Sequence, residues 1–380
     1  MTGDPVIRIP ARRKFLYACA LALLAFVACE GALRLRARIK YGAAVSGVRD
    51  AMVQYDPGAD LNVPQPGYES KGARIDIKIN SLGFRGDEIS REKPANTVRI
   101  ACLGASTTFC AEVSSNHHTW PYLLQERLKQ AYPGVSIEVV NTSLGGYVAA
   151  DNLKNLRHRV LPLDPDLVLY YEANNEIVRD TQQLAAQQGL LRADGARQSP
   201  LVTTMSRYSL TFDLAYKNLA ILLRSRAASG DTRKLDRVPS DLPDHFIGVL
   251  DQMRSDLAAR DVPLVLSTFI VKYRRSQDRA TQIKNADVAF YYMPWMSIDG
   301  MLDAMDVYNQ AILDYGHREG LMAIDDREAV PPDAEHFSDC MHFLDKGAEA
   351  MADRFARNLI HSVELDRAVA RVRQTGAGAR

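Results

Sequence analysis

The chain has 380 residues, 47% apolar and 24% charged, an ordinary globular composition with length for a large α/β domain carrying insertions. Its 47 Lys and Arg against 46 Asp and Glu leave a net charge of +1, which argues against a general polyanion partner and so against nucleic acid. The five cysteines, Cys19, Cys29, Cys102, Cys110 and Cys340, follow no metal-ligand spacing, and no zinc site is expected.

Arg12, Arg13 and Lys14 precede an uncharged apolar run over 15–28 that continues past Glu30 to Leu33, and Arg34, Arg36, Arg38 and Lys40 follow it. The run falls between the apolar core of a cleavable signal, about 7–15 residues, and the roughly 20 of a spanning helix. The bracketing charges favour an uncleaved membrane anchor, with the rest of the chain extracytoplasmic, periplasmic or extracellular. Phe26-Val27-Ala28-Cys29 also resembles a lipoprotein cleavage box with Cys29 as the lipidated residue. Residues 41–96 form a lead-in broken by Pro57, Pro64 and Pro66, with a short strand expected at 75–79. The turn that follows, 80–86, is plugged into a core by Phe84, and its Arg85 is a candidate ligand for a substrate anion.

An apolar run at 98–103 ends at Gly104, and small polar residues lead into a helical pattern. This is the signature of a buried parallel strand, a tight turn and a helix, with Ser106 at the carboxyl edge of the sheet. Residues 120–130 have helical spacing, 135–140 read as a second strand, 141–147 as a glycine-bearing turn and 167–171 as a third strand ending in Glu172-Ala173-Asn174-Asn175-Glu176. A mostly helical insertion over 177–243, a helix at 246–259 and a fourth strand at 262–271 come next. The aromatic and Met-bearing stretch 289–296 reads either as core under a long loop or as a substrate platform presenting Tyr291, Tyr292 and Trp295. A helix at 301–317, a fifth strand at 321–325, a loop at 335–342, a helix at 345–361 and a loose Arg- and Gly-rich tail from about 367 complete the chain.

A serine hydroxyl is a poor nucleophile without a base, and a histidine serves as that base when a carboxylate fixes its tautomer. Asp339 and His342 could supply both, although Asp-x-x-His alone fits a surface turn or half a metal site equally well. The order Gly104-x-Ser106, Gly146, Asn175, Asp339-x-x-His342 resembles the four marker blocks of the SGNH/GDSL hydrolase superfamily. The resemblance covers about 98–361, and the 80–86 turn behind an N-terminal anchor looks like the membrane-tethered members. It implies a three-layer α/β/α domain with a five-stranded parallel sheet of flavodoxin-like order. Ser106 would be the nucleophile, His342 the base and Asp339 its orienting carboxylate, with an oxyanion hole from Ser106, Gly146 and Asn175 and no cofactor or metal. Four departures stand out: Ala105 replaces the usual Asp, Cys110 holds a position often occupied by glycine, and Gly145 and Asn174 compete with Gly146 and Asn175 for their roles.

The expected organisation is an anchor or signal segment over 1–40, a lead-in over 41–96, a catalytic domain over 97–362 with insertions at 177–243 and 273–300, and a flexible tail over 363–380. Three functions compete. One is an esterase acting on an ester-linked acyl group of an extracytoplasmic carbohydrate or lipid. The second is an O-acyltransferase on an envelope or secreted polysaccharide, and the third a non-catalytic glycan-binding module.

Overall fold

The computed structural model describes residues 10–42, 52–191, 199–227 and 233–377. The first apolar run folds as one unbroken helix, α1 (Ala11–Tyr41), which is long and apolar enough to cross a membrane and whose apolar window is covered by nothing else among the described residues. Gly42, in the left-handed conformation, ends it. Two antiparallel hairpins follow, β1 (Val53–Asp56) with β2 (Leu61–Pro64) and β3 (Glu69–Lys71) with β4 (Asp76–Lys78). Only β4 was expected.

The remaining elements are β5 (Thr97–Gly104), α2 (Ser106–Phe109), α3 (Trp120–Ala131), β6 (Ser136–Asn141), α4 (Ala149–Asn155), β7 (Leu167–Tyr171) and α5 (Asn174–Gln187), then α6 (Pro200–Tyr208), α7 (Leu210–Ala227), α8 (Asp244–Ala258) and β8 (Leu264–Ser267). The chain closes with α9 (Arg279–Asn285), α10 (Ala289–Tyr292), α11 (Ile298–Glu319), β9 (Ala323–Ile324), α12 (Asp345–Leu359) and α13 (Val363–Ala377). Strands β6-β5-β7-β8-β9 form one parallel sheet in that order, the flavodoxin-like arrangement expected. Every residue of β5, β7 and β8 is buried, because helices cover both faces and leave no polar alternation to select. Helices α3 and α12 pack together in one layer, and α4, α8 and α11 in the other.

Three elements differ from the sequence reading. The fourth strand stops at Ser267 instead of 271, because the chain turns away where Arg354 of α12 binds Ser267 Oγ and the Thr268 carbonyl. Helix α5 runs through position 177 and buries Ile177, Thr181 and Ala185, so the helical insertion starts after it; its residues 192–198 and 228–232 lie outside the described residues. The tail is a helix over most of its length. Leu365, Ala368, Val369 and Val372 recur at helical spacing and are buried, and only 378–380 lie outside the described residues.

Candidate active site

The site begins where β5 leaves the sheet. A Cβ on Gly104 would lie 2.2 Å from Thr108 Oγ1 and 2.5 Å from the Tyr171 carbonyl, so only glycine lets β5, β7 and α2 approach this closely. Ala105 is fully buried beside Leu61, Leu144 and Tyr147, under the β1–β2 hairpin; this apolar cover accounts for the absence of an aspartate. Helix α2 is one turn long, and its carbonyls need outside donors. Trp120 Nε1 donates to Thr107 O at 3.1 Å, Asn141 Nδ2 to Thr108 O at 2.8 Å, and Arg85 Nη1 to both Phe109 O and Cys110 O at 2.7 Å. Cys110 then takes φ 60° and ψ 50°, the left-handed conformation that makes glycine usual at such a position.

Ser106 opens α2 with its Oγ 2.8 Å from His342 Nε2, and His342 Nδ1 lies 2.7 Å from Asp339 Oδ2. The loop bearing this pair is closed on itself. Asp339 Oδ1 accepts the N–H groups of Met341 and His342 at 2.9 Å each, the Ser338 N–H donates to His342 O, and the Phe337 and Phe343 rings meet with centroids 5.2 Å apart. The Lys272 N–H, from the segment after β8, reaches Cys340 O at 2.9 Å and ties the loop to the sheet edge. Ser106, Asp339 and His342, 236 positions apart at their extremes, thus stand in one line.

Burial disfavours the imidazolium, but the Asp339 hydrogen bond and charge, helped by Glu112 and opposed by Lys217, hold His342 above the ordinary histidine value. Burial likewise disfavours the Asp339 carboxylate, and the His342 contacts outweigh it and lower its pKa. A base must be neutral to accept a proton, so an activity that uses His342 as its base would fall as pH drops through the raised His342 value. The acid limb of kcat/KM is therefore expected above about pH 6.5, the ordinary imidazole value. Lys217→Met should move that limb to higher pH and Glu112→Gln to lower pH, and limbs that stay put would contradict this field around His342.

The turn after β6 faces the serine. A Cβ on Gly145 would sit 3.6 Å from Ser106 Cβ, while Gly146 has φ +93°, a backbone region that disfavours any side chain. Neither the Ser106 N–H nor the Gly146 N–H meets a protein acceptor among the described residues. Asn175 donates its Nδ2 to Tyr147 O at 2.9 Å, which draws the start of α5 against this turn, and its own N–H donates to Glu172 Oε1 at 2.6 Å. Asn174 is buried with its Oδ1 unpartnered among the described residues. Glu172, which sequence reasoning passed over, is fully buried; burial pushes its pKa up to about 8 against hydrogen bonds from the Asn175 and Ala173 backbone.

Two expectations are corrected. Arg85 is fully buried; its Nη1 donates to the Phe109 and Cys110 carbonyls, its Nε to Asn116 Oδ1 at 3.0 Å and its Nη2 to Asp76 O at 3.5 Å, so it holds the end of α2 and is not displayed to a substrate anion. Its positive charge survives burial, with a pKa lowered to about 10. Trp295 is buried, and its Nε1 donates to Thr181 Oγ1 at 3.1 Å, so it lines no open platform. Phe290, Met293 and Met296 are core as well; Tyr292 alone of that stretch is strongly exposed, and Lys217 lies over the rings of both Tyr291 and Tyr292. A hollow of about 490 Å³, lined by Lys40, Glu112, Ser338 and Asp345 among others, adjoins the Asp339–His342 loop, whereas a cleft of about 500 Å³ at the ends of β8 and β9 touches no member of the line. No group of His, Cys, Asp and Glu among the described residues could hold a metal ion.

No protein-family model matches the chain, and no curated protein matches it. Among solved structures it is similar to LAE5, an α/β hydrolase enzyme from the metagenome of Lake Arreo, Spain, at 17% identity and TM-score 0.43, over 70% of this chain and 97% of that one. It is similar to a G-D-S-L family lipolytic protein from Desulfitobacterium hafniense DCB-2 at 12% identity and TM-score 0.40, over 69% and 99%. A third is Axe2, an acetylxylan esterase from Geobacillus stearothermophilus, at 15% identity and TM-score 0.42, over 70% and 96%. Likeness at this level carries no weight for function; the fold rests on the strand order and the site on its own geometry.

Proposed function

We propose that the chain is a membrane-anchored serine esterase of the SGNH/GDSL type, acting on an ester-linked acyl group of an extracytoplasmic carbohydrate or lipid. The observation that carries this reading is the line from Ser106 Oγ to His342 Nε2 at 2.8 Å and on from His342 Nδ1 to Asp339 Oδ2 at 2.7 Å. Ser106 attacks the ester carbonyl while His342 takes its proton; His342 then returns a proton to the leaving alkoxide, and water repeats the sequence on the acyl-serine. Asp339 fixes the tautomer and stabilises the imidazolium. The N–H groups of Ser106 and Gly146, both without protein acceptors, and the Asn175 amide hold the oxyanion. Helix α1 tethers the domain, with the domain outside the cytoplasm; the alternative is lipidation at Cys29, which intact mass would reveal as loss of everything before that residue.

The oxyanion assignment has its own test. Asn175→Ala is expected to lower kcat by about 10²–10³-fold on a short-chain aryl ester, with Asn174→Ala costing far less. The reverse ranking would give the third donor to Asn174.

A second reading, O-acyl transfer to an envelope or secreted polysaccharide, is favoured by Tyr292, a half-exposed aromatic with the apolar body and polar tip that suit a sugar ring. Product analysis with glycan acceptors separates the two: free acid alone means esterase, and acylated glycan means transferase. In the second case Tyr292→Ala should weaken action on the carbohydrate and spare the small aryl ester.

A further inference from the structure

Helix α7 is apolar around much of its circumference and leaves part of that apolar surface uncovered. Its outward stripe, recurring at the spacing of one helical face, is Leu214, Ala215, Asn218, Leu219 and Leu223, all exposed. Two of its cations turn inward: Lys217 lies over the Tyr291 and Tyr292 rings of α10, and Arg224 donates to Tyr291 O at 2.6 Å. Helix α6 continues the apolar surface with Leu201, 68% exposed, Met205 and Tyr208, 71% exposed. A monomer rarely leaves so long an apolar surface facing water.

The anchor helix shows what covers it. Glu30, at the end of the apolar run of α1, accepts hydrogen bonds from Ser209 Oγ at 3.0 Å, the Leu210 N–H at 3.1 Å and the Thr211 N–H at 2.9 Å, and so caps the start of α7. One turn on, Arg34 Nη2 donates to Tyr208 O at 2.9 Å. The α6–α7 junction is thereby pinned at the level where α1 leaves its apolar stretch, and the tyrosine there has the place that interfacial tyrosines take. Arg34, Arg36 and Arg38 on α1 and Arg207 on α6, just before the junction in sequence, match the charge of an anionic headgroup layer.

We infer that α6 and α7 form an interfacial helical pair whose apolar stripe lies in the surface of an anionic bilayer, the membrane that α1 crosses. The inference rests on the reading of α1 as an anchor and adds a second, peripheral contact. It sets α7 between lipid and catalytic line, with its leucines on the bilayer and Lys217 close enough to bias His342.

The test uses the full chain in vesicles containing phosphatidylglycerol. A spin label is attached at Leu219→Cys or Leu201→Cys with Cys19 and Cys29 replaced by alanine, the other three cysteines being buried. Reference labels are placed at exposed Val363→Cys and at the native Cys19. Labels at 219 and 201 are expected to be reached by oxygen and to be several-fold less accessible to an aqueous nickel chelate than the label at 363. Equal nickel access at 219 and 363 overturns the inference, and so does shielding from both reagents, which would mean cover by protein. A lipid-exposed Cys19 label beside a water-exposed 219 label leaves the anchor standing and removes the surface contact. A water-exposed Cys19 label removes both.

Discussion

Ser106→Ala and His342→Ala are each expected to cut hydrolysis of a short-chain aryl ester by about 10⁴-fold or more, with the double variant little worse than either single one. The reason is mechanical. His342 has one proton to accept, from an Oγ 2.8 Å away, and with either partner missing the transfer does not occur. The residual rate belongs to the oxyanion donors and to binding, which neither change touches. Asp339→Asn retains an oxygen that can accept the Met341 and His342 N–H groups but presents no charge to the imidazole, so it should lose activity while the loop keeps its fold. Losses that add on a logarithmic scale in the double variant would mean that Ser106 and His342 act independently, contrary to the mechanism.

Replacing Arg85 by methionine is expected to have the largest effect on stability. The guanidinium is fully buried without a carboxylate partner and holds the Phe109 and Cys110 carbonyls together with Asn116 Oδ1. Removing it leaves the buried Phe109 carbonyl without a donor, while Cys110 O keeps the Val113 N–H and Asn116 Oδ1 the Lys78 N–H, a loss on the order of 1–3 kcal/mol, read as a lower urea midpoint. The turn that aims Ser106 also loosens, and a shift near 1 Å can cost about 10²-fold in rate. Arg85→Lys, with one ammonium for the same carbonyls, should recover part of the stability. A variant with methionine at 85 that keeps both urea midpoint and kcat would show that these carbonyls are satisfied some other way.

Much of the scaffold was legible because a strand buried on both faces is written as a near-continuous apolar run, interrupted in β5 by Arg99, and Gly104 marks where β5 must let its neighbours close in. The alignment of Ser106, His342 and Asp339 was legible from order and spacing together, although neither Ser106 nor Asp339-x-x-His342 was specific alone. Arg85 was not, because an arginine in a turn looks the same whether it faces water or receives the end of a helix formed 20-odd residues later; only the return of the chain at Phe109 decides. Trp295 misled for a similar reason: a buried indole and a sugar platform share a sequence, and Thr181, 114 positions away, supplies the acceptor that buries this one. Helix α13 was hidden by its arginines, which occupy its outer face while Leu365, Ala368 and Val372 keep the inner one. The choice between Asn174 and Asn175 turns on one residue of register, which composition cannot encode.

The claim that Ser106 is an activated nucleophile is tested most directly by treating the full chain with a fluorophosphonate and mapping the adduct by peptide mass. One adduct on Ser106 is predicted, absent in Ser106→Ala and formed far more slowly in His342→Ala. An adduct on another residue, or none on Ser106 in a preparation that still cleaves aryl esters, would contradict the account.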